Sequence, residues 1–247
     1  MISQKVYEDL NREYGKVASW SLWAEVGETP TSNTGDMSLF LDREILKKLR
    51  NDLVFVALNA SVHEDRKDSY TGSWANFHSD DNKAQRDFKL RYALVNTPFE
   101  GQYITDVIKN HPDKNSAAVI KYVEEHPETA TENIKVLKKE LTILGGNPVI
   151  IALGQDAYNI LKNNLDENDT LLLMTHYSDY RNKESLRVEA IDLLLNEKSL
   201  KGLIKDKVED LKADRDKQII TIERLEKENE VRKKLAKENN KIKKISK

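Results

Sequence analysis

Apolar residues in this chain fall into two alternating kinds of run. Three short unbroken runs lie at residues 52–58 (DLVFVAL), 148–153 (PVIIAL) and 170–175 (TLLLMT). They are rich in aliphatic residues and bounded by polar ones, so each predicts a strand buried on both faces. Residues 103–105 make a fourth, shorter strand candidate that ends at Asp106. Elsewhere the apolar positions recur at helical spacing, predicting helices over 42–50, 87–95, 116–125, 130–144, 157–163 and 185–195. Ile45, Leu46 and Leu49 face inward in the first, and Ile134, Leu137, Leu141 and Leu144 in the fourth. Thr129 and Glu132 fit a capping box for that fourth helix, and Gly145–Gly146 supply its stop.

The N-terminal stretch 6–23 is aromatic-rich, with Val6, Leu10, Tyr14 and Val17 at roughly helical spacing. Residues 29–36, punctuated by Pro30 and Gly35, read as loop. Residues 61–81 fit no period and carry Tyr70, Trp74 and Phe77. A loop that long is functional or disordered, and its aromatics argue for the first. Strands alternating with helices predict an α/β fold: three layers around a central four-stranded, mostly parallel sheet.

A change of pattern at residue 203 divides the chain into an α/β body, 1–202, and a charged C-terminal helix, 203–247, which holds no Pro or Gly. Val208, Leu211, Ile222 and Leu225 fit the inner positions of a heptad, with Arg215, Gln218, Asn229 and Arg232 at the same positions. Leu235, Ile242 and Ile245 fit only after a shift of register. A helix that long gains little in water by itself, so either it self-associates into a homo-oligomer or it stands as a solvated lone helix lying partly on the body. The helix carries fifteen Lys/Arg and ten Asp/Glu, which leaves twenty-five and thirty-two for the body. An acidic body is not built for strong non-specific phosphate binding, although a local basic groove can still serve.

Several chemistries are set aside by residues the chain lacks. Without cysteine there is no disulfide, no thiol nucleophile and no thiolate metal site. The five histidines show no HExxH spacing, and no nucleophile elbow, GxGxxG or Walker A run is present. The expectation is therefore no metal and no cofactor. No apolar run reaches bilayer length and no signal-peptide pattern opens the chain, so the expected compartment is the cytoplasm, with no membrane partner.

The candidate chemistry gathers where the strands stop. The four runs end in Asn59–Ala60–Ser61, Thr105–Asp106, Gly154–Gln155 and Thr175–His176–Tyr177–Ser178. In an open parallel sheet these ends meet at one edge, which is where ligands bind. Read singly, Ser61 is a turn residue, Asp106 a cap and His176 a hydrogen-bonded loop histidine; the group carries more weight than its members.

The same residues resemble the uracil-DNA glycosylase superfamily over about residues 50–195. Its first motif follows the first central strand and reads Gly-x-Asn-Pro-Gly or similar in some branches. Here Ala57–Leu58–Asn59–Ala60–Ser61 keeps the asparagine and replaces the glycine and proline with Ala57 and Ala60. The family's last motif, His-Pro-Ser, is similar to His176–Tyr177–Ser178, with Tyr177 in the proline position. Residues 101–109 resemble the second central strand and its exit, and 149–157 the third strand with its Gly-x-x-Ala continuation.

The resemblance implies hydrolysis of the N-glycosidic bond of a deaminated, mismatched or modified DNA base flipped into a pocket. Asn59 would then position a water at the sugar C1′, and His176 would face the charge developing on the leaving base. Phe77 would stack on the base, Asp106 or Asn76 would read its polar edge, and Ser61 and Ser178 would complete the pocket. Two other classes fit the same residues: a non-catalytic nucleic-acid or nucleotide-binding module, and a self-associating structural protein with a relic pocket.

Overall fold

A computed structural model describes residues 2–60, 73–79, 86–113 and 115–245, with side chains as far as residue 237. In chain order its elements are α1 (Gln4–Tyr14), β1 (Ala18–Trp20), β2 (Arg50–Asn59), α2 (Asp87–Leu94), β3 (Gln102–Ile108), α3 (Ser116–Glu125), α4 (Pro127–Leu144), β4 (Val149–Leu153), α5 (Gln155–Asn164), β5 (Leu171–Met174), α6 (Lys183–Asn196) and α7 (Val208–Ile245). The sheet has five strands in the order β1-β3-β2-β4-β5. β2 to β5 are parallel, and β1 runs antiparallel along β3.

The three layers follow from alternation along the central strands. Val54, Val56 and Leu58 of β2 face Leu10, Val119, Leu137 and Leu161, from α1, α3, α4 and α5. Leu53, Phe55 and Ala57 face the other way, toward Leu90, Leu94, Leu186 and Ile191 from α2 and α6. Burial on both sides explains why β2 reads as an unbroken apolar run.

Four expectations need correction. The sheet has a fifth strand, β1, inside the stretch whose spacing suggests helix. The helix stops at Gly15, where any Cβ would meet the Asn11 carbonyl oxygen at 2.5 Å. Beyond it Ala18, Ser19 and Trp20 are all buried, so no period-two pattern betrays the strand. Second, β3 continues to Ile108, which puts Asp106 inside the strand. Third, 42–50 holds only a short 3-10 turn, Arg43–Lys47, before Arg50 opens β2. Fourth, α4 begins at Pro127, where its missing N–H costs nothing; Thr129 is buried in the first turn and caps nothing.

The heptad-like seam of α7 faces its own body. Leu211 is buried against α6. Its first two polar residues have partners there, Arg215 with Asp192 at 2.5 Å and Gln218 accepting from the Tyr92 hydroxyl at 2.8 Å, whereas Asn229 and Arg232 are exposed. Arg187 of α6 ties the group together. Its guanidinium binds Asp214 at 2.6 Å and donates to the Tyr92 and Val95 carbonyls. From Glu226 to Lys237 every residue of α7 is exposed. Among the described residues no helix is long and apolar enough to cross a membrane.

This division predicts the result of truncation. A chain ending at Leu225 should melt with the full-length protein. One ending at Lys207 loses the Leu211 contact and leaves Arg187 without its carboxylate, at a cost of roughly 3–5 kcal/mol. Scanning calorimetry should then show a melting temperature lower by about 10 °C.

Candidate functional site

The chain leaves β2 toward β3 on one side and later returns to β4 on the other side of β2. That reversal makes the carboxyl ends of β2 and β4 the switch point of the sheet, the position at which open α/β sheets hold ligands. Asn59 closes β2 level with Ile108 of β3, while Leu153 of β4 is level with Met174 of β5. Asn59, Gly154 and His176 therefore lie at one edge of the sheet. Gly154 has φ of +96°, and a Cβ there would stand 3.2 Å from that of His176. Glycine lets the His176 loop close onto the tip of β4.

Each side chain at this edge is held in a particular hydrogen-bonding state. The Asn59 amide nitrogen donates to the carbonyls of Ala60 at 3.1 Å and Asp113 at 2.8 Å. With both amide hydrogens engaged, the group that Asn59 offers a water or ligand is its acceptor, Oδ1. His176 Nδ1 receives the Ser178 amide N–H at 3.2 Å and lies 2.7 Å from the Ser178 hydroxyl. An amide can only donate, so the proton of the neutral ring sits on Nε2. Part of the ring reaches solvent, yet the surrounding protein still pulls its pKa down to about 4, offset in part by Asp179. Near neutral pH His176 is thus an uncharged Nε2–H donor.

Behind these residues lies a buried polar cluster. Asp106 is 1% exposed, and its Oδ2 accepts from Asn76 at 2.7 Å. Its Oδ1 has no hydrogen-bond partner among the described residues. Burial raises the carboxyl pKa to about 7, against the pull of Asn76 and Lys109 and with help from Glu140 and Asp87. Lys109 itself makes a buried ion pair with Glu140 at 2.7 Å and donates to the Thr105 hydroxyl. The Tyr103 hydroxyl completes this arrangement by donating to Glu140 at 2.8 Å.

The segment 73–79 is fastened along β1 and the strand's approach. Trp74 N–H donates to Gly15 O, the Ser19 hydroxyl to Trp74 O, Asn76 to Val17 O and the Trp23 indole to Phe77 O. His78 sits between the carbonyls of Leu22 and Asn76, each at 2.9 Å, and burial lowers its pKa. Trp74 and Phe77 hold φ of +69° and +66°. Left-handed backbone is rare for bulky residues and persists only where the surroundings impose it.

The residues expected from the sequence thus meet unequally. Asn59, His176 and Ser178 share the edge, with Ser178 bonded to His176. Asp106 lies two residues inside β3 rather than at its end. Asn76 has both amide hydrogens inside the protein, and its part is to hold Asp106. Phe77 is 4% exposed and meets Tyr177 edge-on at 6.4 Å between ring centres. Ser61 and Tyr70 lie outside the described residues. Among those described, no group of carboxylates and histidines is arranged to hold a metal ion.

Two contributors were not among the expected site residues. Tyr177 stacks on His176 at 4.3 Å between centres and so lies between that ring and Phe77. Lys89 of α2 is buried and donates to the carbonyls of Asp179 and Arg181 at 2.8 and 2.7 Å, clamping the loop that bears His176. A lysine on an otherwise ordinary helix gives no hint of this, because its partners are backbone atoms of a distant loop. The chain matches no family model, no curated protein and no solved structure.

The two shifted groups act on stability with opposite sign. Asp106 has a folded pKa above its unfolded value of about 3.9, so its contribution is full below that pH and is lost as pH rises toward about 7. His176 is depressed from about 6.5, so its contribution is present above that pH and is lost as pH falls toward about 4. Denaturant unfolding between pH 4 and 7 should show this by difference from the native chain. Asp106→Asn should make stability rise more steeply with pH, and His176→Gln should make it fall. Parallel curves for the native chain and both variants would remove the shifts.

Proposed function

We propose that the chain is a DNA glycosylase-like hydrolase, acting on the N-glycosidic bond of a base flipped out of DNA. The observation that supports this most is that Asn59 and His176 lie at one edge of the sheet, with the His176 loop against Gly154 of the switch point and a buried Asp106–Asn76 pair two residues inside β3. Extruding a nucleotide gives access to an atom hidden in the duplex and requires a pocket with polar contacts and an aromatic wall. The stacked His176 and Tyr177 rings, with buried Phe77 edge-on to Tyr177, would supply such a wall.

The chemistry divides between two residues. Asn59 Oδ1 accepts a hydrogen bond from a water and turns its oxygen toward C1′. The C1′–N bond breaks with its electron pair passing to the base, and the water oxygen joins C1′. The proton lost by that water balances the one the base gains. The Nε2–H of His176 donates to the base as negative charge grows there; a neutral donor already in place stabilises that charge without reorganisation. DNA is the partner on this reading, and the cytoplasm the place of work.

Single-turnover base release tests it, on single-stranded and duplex oligonucleotides carrying uracil, hypoxanthine, a mismatch or a methylated base. The native chain should release at least one of these. Asn59→Ala and His176→Ala should each slow release by ~10²- to 10⁴-fold while Kd for the same DNA changes little. Equal rates in all three proteins would take both residues out of the mechanism. Binding without release by the native chain would make it a non-catalytic nucleic-acid module.

A further inference from the structure

The helix α7 has two apolar lines, and only one is covered. Leu211 and Gln218 mark the first, turned to the body. Ile220, Val231 and Leu235 mark the second, 68%, 55% and 54% exposed. At 3.6 residues per turn these three fall along one side of the helix, roughly opposite Leu211 and Gln218. Ile242 and Ile245 continue that second line in register. It runs for about 39 Å at 1.5 Å per residue. A single helix of this composition is marginal in water, so an apolar line of this length calls for a partner.

Charge along the helix identifies the partner. Residues 220–230 hold four Glu against two Lys/Arg, whereas 231–245 hold seven Lys/Arg against one Glu. A second copy laid parallel would set the basic half on the basic half. A copy laid antiparallel sets each basic half on the acidic half of the other. With Val231 opposite Leu235 of the second copy, these two side chains form the apolar contact, Ile242 stands level with Arg224 and Ile245 with Thr221, and residues 236–245, with four Lys and one Glu, face 221–230, with four Glu and two Lys/Arg.

We infer that the chain forms an antiparallel homodimer through the Ile220–Val231–Leu235 side of α7. This surface is distinct from the heptad seam used against the body, and independent of the chemistry proposed for the pocket. The contact joins helices whose charge halves are complementary, so it weakens as salt screens them.

Sedimentation velocity at micromolar concentration should show a dimer that dissociates as salt is raised. Replacing Val231 and Leu235 together with Gln should give a monomer with an unchanged melting temperature for the body, since both side chains are exposed. Orientation is read by cross-linking, which the cysteine-free sequence makes unambiguous. Arg224→Cys and Ile242→Cys, made in separate chains, are mixed and oxidised. An antiparallel dimer should give the mixed disulfide. Disulfides joining only like chains would overturn the orientation. A native chain that stays monomeric throughout, or a Gln variant that still dimerises, would overturn the interface. Base release measured on the same Gln variant keeps this result separate from the fate of the glycosylase reading.

Discussion

A carboxyl group in the middle of a buried strand is the constraint from which much of this structure follows. Asp106 stands in β3 with hardly any solvent, and a buried polar group needs partners. Asn76 supplies one, and delivering Asn76 means bringing residues 73–79 down against the sheet. That segment is held by Gly15, Val17, Ser19 and Trp23, which is to say by α1's stop, by β1 and by the chain beyond it. The left-handed conformations of Trp74 and Phe77 are part of the same fit. The antiparallel strand β1 thus does more than widen the sheet: it anchors the segment that contacts Asp106.

The His176 end of this sheet edge is built by different means. There the His176 loop rests on a glycine, and its backbone carbonyls are gripped by Lys89. One end is set by buried side-chain polarity and the other by backbone contacts. α2 links the two, because its Lys89 grips that loop and its Asp87 accepts from the Ser79 N–H at 2.9 Å, in the segment that carries Asn76 and Phe77. Displacing α2 would therefore move both ends.

How much of this was legible in the sequence depended on whether a strand was apolar throughout or held buried polar residues. Strands β2, β4 and β5 announced themselves as apolar runs, and their polar ends marked the edge that Asn59, Gly154 and His176 share. β1 was hidden because Ala18, Ser19 and Trp20 are all buried and one of them is polar. β3 was cut short for a similar reason: Gln102, Thr105 and Asp106 are polar residues inside a strand, bonded to the Leu53 N–H, to Lys109 and to Asn76. The seam of α7 was visible in its spacing. Its polar members, Arg215 and Gln218, suit the particular side chains Asp192 and Tyr92 rather than another copy of the helix. Spacing reports that a face is covered; it does not report by what.

The lengths of the strands carry one more consequence. The sheet ends on β1 at one rim and β5 at the other, of three and four residues. Unpaired N–H and C=O groups along a rim are a template on which foreign strands can add, and very short rim strands present few of them. The longest strand, β2, with ten residues, is enclosed between β3 and β4. The architecture thereby resists open-ended growth by strand addition, the route to insoluble fibres.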